Sequence, residues 1–277
     1  MRARPSEPAS RARFSLNQAT TKYWPLDEAV AGCLEQGVQG IGLWREEVGE
    51  FGLKQAATLV REAGIEVTSL CRGGFFSEPG WYDENRRAID EAATLGAPVL
   101  VLVSGGMPAG SRDIDGARRH VGDAIGQLVP YAVEAGVQLA IEPLHPMYAS
   151  DRCVVSSLGQ ALDLADPYPA EAVGVVVDTY HLWWDDQVWD GIARAGRDGR
   201  IACFQVADWV TPLPAGVLLG RGLPGEGVVE LRRFREAVDA AGYTGPIEVE
   251  VFHTEVWARP GADVLAASID GYLAHVI

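Results

Sequence analysis

The segment VGVVVDTYHLWWDD, residues 173–186, opens as an apolar strand and closes as a cluster of acids and aromatics. Small and branched apolar residues run straight into Asp178, and His181 follows three positions later. A carboxylate at the inner end of the most hydrophobic strand has an ordinary reading. It caps the helix entered through a strand-to-helix loop. It also has a chemical reading, a group presented at the rim of a parallel sheet or barrel. The other strands decide between them.

Seven further short apolar runs predict strands at 13–18, 38–44, 65–71, 98–103, 137–142, 201–206 and 246–252, with the quoted strand at 173–178. Between them lie segments such as LKQAATLVREAG (53–64), NRRAIDEAATLG (85–96) and LRRFREAVDAAG (231–242). These carry apolar residues at three- and four-residue spacing and end on a glycine suited to a helix C-terminus. Eight strand-then-helix repeats with near-continuous apolar strands are what an α/β fold of the (β/α)8 TIM barrel type requires. A doubly wound open sheet is the alternative, but SLNQATTKYW after the first strand has no glycine-rich phosphate turn. The reading is one barrel domain over 13–277, preceded by a disordered lead-in at 1–12.

The chain has 277 residues, 48% hydrophobic and 22% charged, with a formal net charge of −15. That charge argues against nucleic acid and anionic membrane as partners. Four cysteines without a CxxC pair read as free thiols in a reducing cytoplasm. The arginine-rich start is followed by no apolar stretch of signal-peptide type, and no run is long enough to span a bilayer.

In a barrel of this kind, functional groups belong at the C-terminal ends of the strands. Strand five ends in Glu142, strand six in Asp178, strand seven carries Gln205 and Asp208, and strand eight carries Glu248 and Glu250. Two carboxylates about 4 Å apart repel by roughly 4 kcal/mol at an effective dielectric near 20. Protons, arginines or a cation must offset that. No Arg or Lys lies in these strand ends, although Arg152 and Arg221 can reach in from loops. A bound divalent metal is the economical answer.

The motifs IEPLHP (141–146), VDTYH (177–181), QVAD (205–208), PGEG (224–227) and GYTGPIEVEVF (242–252), in this order, resemble the xylose isomerase-like barrel superfamily. This is the sugar phosphate isomerase/epimerase group, and the likeness spans about residues 13–276. It implies one divalent ion on Glu142, Asp178, Gln205 and Glu250, with Glu142 and Glu250 moving the proton. It also implies that His181 contacts substrate. Gln205 stands where the group's HVxD signature has histidine. An amide oxygen with three carboxylates makes an all-oxygen set that favours Mn2+ first and Mg2+ second over Zn2+.

Two of the five histidines, His145 and His181, stand three residues after proposed ligands, which favours a functional role for both. Aromatics crowd the same loops, Trp44, Tyr148, Trp183, Trp184, Trp209 and Trp257 among them. Besides loop packing, they suit the apolar faces of a sugar or aryl glycoside. Asn17, Lys22, Trp183 and Asp208 are further candidate substrate contacts.

The leading expectation is a metal-dependent isomerase or epimerase that moves a proton beside a carbonyl of a carbohydrate. EPLHP and the tryptophan-rich loops also resemble the metal-binding subunit of C-glycoside deglycosidases. That likeness implies a lyase acting on a keto sugar, with His145 as base and a small partner subunit; inosose dehydratase belongs to the same class. A homo-oligomer stays open. A non-catalytic sugar-binding barrel is the third reading, opposed by the retained Glu142, Asp178 and Glu250.

Overall fold

The computed structural model describes residues 11–215 and 217–277. Residues 1–10, most of the expected lead-in, lie outside the described residues. The strands, in chain order, are β1 (Phe14–Asn17), β2 (Gly40–Trp44), β3 (Glu66–Gly74), β4 (Val99–Val103), β5 (Gln138–Ile141), β6 (Val173–Asp178), β7 (Ile201–Val206), β8 (Asp208–Trp209), β9 (Arg221–Gly222) and β10 (Ile247–Val249). Eight of them close a parallel barrel in the order β1-β10-β7-β6-β5-β4-β3-β2. This is the (β/α)8 barrel expected from the sequence. The remaining two, β8 and β9, pair antiparallel as a short ribbon at the rim.

Each predicted strand overlaps an observed one. The eighth is shorter than 246–252, ending at Val249, so Glu250 stands one residue past it with its N–H on Val206 O at 3.1 Å. The third runs on to Gly74 through a register shift between Cys71 and Gly73. Strand alternation sends Leu100 and Leu102 outward to the main apolar core under the helices. Val99, Val101, Ala140, Val176, Cys71 and Cys203 form a separate small cluster within the barrel.

The other interior positions are polar. Glu248 is buried there, accepting from Thr68 Oγ1 at 2.6 Å, Asn17 Nδ2 at 3.1 Å and Gln205 Nε2 at 3.2 Å. Glycine on β2 makes the room, since a Cβ at Gly42 would lie 2.8 Å from Glu248 Oε2. No helix among the described residues is long and apolar enough to cross a membrane.

Gly74 closes β3 at φ 103°, and a Cβ there would fall 1.9 Å from Val103 O. Backbone cannot yield as a side-chain tip can, so both terms oppose any larger residue. Gly74→Ala is expected to cost more than about 2 kcal/mol, read from the urea midpoint. A loss within about 0.5 kcal/mol, as at an indifferent surface site, would show that this β3 turn is adjustable.

Candidate active site

The strand ends deliver their acids to one place. Asp178, the last residue of β6, caps the helical turn α1 (Thr179–Leu182), accepting from Tyr180 N at 2.7 Å. The ordinary reading of this aspartate is therefore correct, and it covers only one of its oxygens. The other, Oδ2, accepts from Arg221 Nη1 at 3.0 Å. The same Nη1 donates to Glu250 Oε2 at 2.8 Å, so one guanidinium bridges two strand-end carboxylates. Arg221 arrives on β9 with its guanidinium carbon 4.8 Å from the Tyr180 ring centre and 4.9 Å from that of Phe252.

Three carboxylates (Glu142, Asp178, Glu250) and one guanidinium (Arg221) leave a formal charge of −2 in a buried cluster. The proton equilibria respond accordingly. Burial, then the charges of Glu250 and Asp178, push Glu142 well above the usual carboxylate range. Burial raises Glu250 to about 8 against the pull of Arg221. Asp178 also moves up through burial, held back by Arg221 and its main-chain bonds. Burial works against the charge on Arg221, but Asp178, Glu250 and Glu142 outweigh it and keep the guanidinium protonated. The acids therefore share what protons they hold, and Arg221 stays a cation.

His181 is buried in α1 and neutral, its pKa driven well down by burial and then by Arg221, His145 and Arg152. Its Nδ1 accepts from the His145 main-chain N–H at 3.2 Å, and its Nε2 lies 3.0 Å from Arg221 Nη2. Glu142, Asp178 and His181 each offer a ligand atom, all within 4.8 Å of one another. Glu142, which follows β5, has no side-chain hydrogen bond or ion pair among the described residues.

Glu142, His181, Arg221 and Glu250 line the floor of a cavity of about 550 Å³ whose walls include Lys22, Trp44, Arg72, Arg152, Phe252 and Trp257, with Asp178 fully buried behind them. Lys22 is on the wall, with Nζ 4.9 Å from the Trp257 ring centre. Other sequence candidates are engaged elsewhere. Asn17 uses its amide on Glu248, Trp44 and Ala19. Asp208 accepts the N–H groups of Trp209, Gly225 and Val229, tying the PGEG turn to the ribbon. Trp183 packs on Trp209, with ring centres 5.4 Å apart.

His145 stacks on Trp209 at 5.1 Å, and its Nδ1 accepts from Met147 N at 3.2 Å. Its ring is not among the residues lining the cavity. Gln205 presents its amide nitrogen, at 3.4 Å, to Glu250 Oε1, while its Oε1 is buried without a partner. Arg221 was noted in the sequence as able to reach in, but its two-carboxylate bridge has no local signature.

Comparison with known proteins agrees with this architecture. Residues 30–270 match the family model for xylose isomerase-like TIM barrels. The solved structure of protein SMc04130 from Sinorhizobium meliloti 1021 is 45% identical, with a TM-score of 0.92 over 95% of this chain and 98% of that one. The IOLI protein, solved with a bound zinc atom, superposes at TM-score 0.82 with 20% identity, covering 95% of this chain and 98% of that chain. Inosose isomerase of Bacillus subtilis (strain 168) is 26% identical over 49% of this chain and 47% of its own length. The chain spans about half the length of the first curated relatives it matches. The curated relatives are enzymes: isomerases, sugar epimerases and a dehydratase. The chain belongs to the xylose isomerase-like TIM barrel family.

Proposed function

We propose that the protein is a divalent-cation-dependent isomerase or epimerase of a keto sugar or related carbohydrate. The observation that carries this reading is the buried Glu142–Asp178–Glu250 cluster, of which Glu142 and Glu250 line a sugar-sized cavity and Asp178 joins Glu250 through Arg221, left with a formal −2 charge after that guanidinium is counted. A dication fits that deficit. It also fits the orphaned Gln205 Oε1, because turning the amide would aim that oxygen at the acids, which is unfavourable unless a cation lies between them. Glu142, Asp178 and Glu250 would hold the ion, with Gln205 Oε1 and His181 as the remaining donors. When bound, it would polarise the substrate carbonyl. The oxygen-rich set favours Mn2+ or Mg2+.

The chain's own groups divide the rest of the work. Glu142, with no hydrogen bond to break, is suited to take the proton from the carbon beside the carbonyl. Glu250, held by Arg221 on one oxygen and Gln205 on the other, is fixed to hold or return a proton. His181, whose Nδ1 already accepts from the His145 main chain, has Nε2 as the nitrogen facing Arg221 and the site. Trp44, Phe252 and Trp257 exclude water along the wall. The test is deuterium wash-in at the carbon beside the carbonyl in D2O. No exchange with any ketose or inosose would overturn the reading.

Elimination shares this first proton transfer, and the 3-dehydroshikimate dehydratase among the relatives supports it as a second reading. In that case water would leave and the product would be unsaturated. A histidine base fits less well, since His145 stacks away from the cavity and caps a turn. His145→Ala is expected to lower stability by about 1 kcal/mol through the lost cap and stacking, with turnover per folded molecule nearly unchanged. A drop in turnover of about 100-fold at normal metal content would restore His145 as base.

Cation affinity should depend on pH. Glu250 is raised from 4.5 to about 8, so below that value binding must displace its proton. Affinity is expected to rise by up to about tenfold per pH unit per displaced proton as the pH is raised toward 8. Without the cation, the same shift makes Glu250's contribution to stability fall as pH rises from 4.5 to about 8. Calorimetry in buffers of different ionisation enthalpy measures the proton release; none across this window would contradict the assignment. Gln205→His should keep the ion but move preference toward Zn2+ or Co2+, and unchanged selectivity in a competition series would remove Gln205 from the ligand set.

A further inference from the structure

We propose that Glu248 is a positioning residue: from inside the barrel it holds the amide nitrogen of Gln205, and so sets which end of that amide is offered to a cation. This deepens the proposed function and rests on its assignment of Gln205 as a donor. Glu248 lies on β10, two residues before Glu250, and pairs in register with Gln205 on β7. It is buried and is not among the residues lining the cavity, so it acts through Gln205 and not on substrate.

The bonds around Glu248 have a fixed polarity. An indole nitrogen only donates, and Trp44 Nε1 donates to Asn17 Oδ1 at 2.8 Å. Ala19 N donates to the same oxygen at 3.1 Å. The Asn17 amide nitrogen is thereby left to face Glu248 Oε2, at 3.1 Å. Gln205 Nε2 reaches that oxygen too, at 3.2 Å. Thr68 Oγ1 donates to Oε1 at 2.6 Å and stands 2.9 Å from Ser15 Oγ. Glu248 thus accepts three side-chain donors from β1, β3 and β7, and all three donors are buried.

Against such an acceptor, Gln205 must keep its nitrogen. Presenting Oε1 to Glu248 would set two buried acceptors face to face with no proton between them. The second contact of Nε2, to Glu250 Oε1, is the longer one at 3.4 Å. A turn about the Nε2–Glu248 bond releases Glu250 and brings Oε1, buried without a partner, to that side. Side chains that meet a metal are commonly oriented by an outer partner at their far end, and Glu248 occupies that place for Gln205. The chain of bonds also runs through Asn17 to Trp44, which ties one wall of the cavity to the same amide.

The test compares Glu248→Gln, which keeps an acceptor oxygen, with Glu248→Met, which is of similar length and has none. Both remove the same charge, so the difference between them isolates the hold on Gln205. In Mn2+ titrations of the whole chain, Glu248→Met is expected to bind at least tenfold more weakly than Glu248→Gln. In a Gln205→Ala background that difference should vanish. Equal affinity in the two variants, or a difference that persists without Gln205, would overturn the proposal. Should Glu248→Met fail to fold, melting temperatures of the cation-free chain decide. Gln205→Glu, which sets two carboxylates together, should lower Tm, and adding Glu248→Gln should recover at least half of the loss; no recovery would overturn the pairing. A parent chain that binds no Mn2+ would count against the proposed function, while the melts would still judge the Glu248–Gln205 bond.

Discussion

Asp178→Asn should reduce divalent-cation affinity by more than about 100-fold while leaving the barrel folded. The substitution keeps the oxygen that caps α1 through Tyr180 N, so the local structure survives. It removes the charge from the other oxygen, the one bridged to Glu250 through Arg221. Against the same guanidinium, two remaining carboxylates leave only −1 in place of −2, too little to match a dication. Mn2+ titration of parent and variant, with thermal melts as the control for folding, measures this. Stoichiometric binding of undiminished strength in the variant would place the ion elsewhere.

Glu142→Gln is expected to have the larger effect on rate and the smaller one on stability. The side chain is buried and makes no hydrogen bond or ion pair among the described residues, so the isosteric amide breaks nothing. It also removes a carboxyl held far from its normal pKa by burial and by Glu250 and Asp178, and the melting temperature should not fall. Turnover should drop by roughly 10²–10⁴-fold, the usual range for losing a positioned proton-transfer group. A fall confined to KM, with kcat kept, would reduce Glu142 to a binding residue.

The barrel was legible in the sequence because its parallel strands are buried on both faces and read as uninterrupted apolar runs. The acids at their ends were legible for the same reason, since a carboxylate finishing such a run has few roles to fill. What stayed hidden depends on contacts between distant parts of the chain. Arg221 reaches Asp178 from 43 positions away, over a ribbon of two-residue strands that no periodicity announces. Gln205 lies beside Glu248 in the β7–β10 register, so its amide nitrogen is drawn to that carboxylate and to Glu250. His145 caps the 3-10 turn that Pro146 begins, and its ring lies against Trp209 and Trp184, contacts that no local pattern announces. Asn17 and Asp208, expected from the sequence as substrate contacts, are engaged by internal hydrogen bonds that only the folded chain brings together.

The most direct measurement is proton NMR of the Mn2+- or Mg2+-reconstituted chain in D2O with ketoses, inososes and their phosphorylated or carboxylated counterparts. Exchange of the hydrogen beside the carbonyl should appear with at least one of them, stop on chelation, resume on re-addition of the cation and be lost in Glu142→Gln. Exchange that persists in excess chelator, or its absence from the whole series when the protein holds one cation per chain, would contradict a cation-dependent proton transfer at this rim.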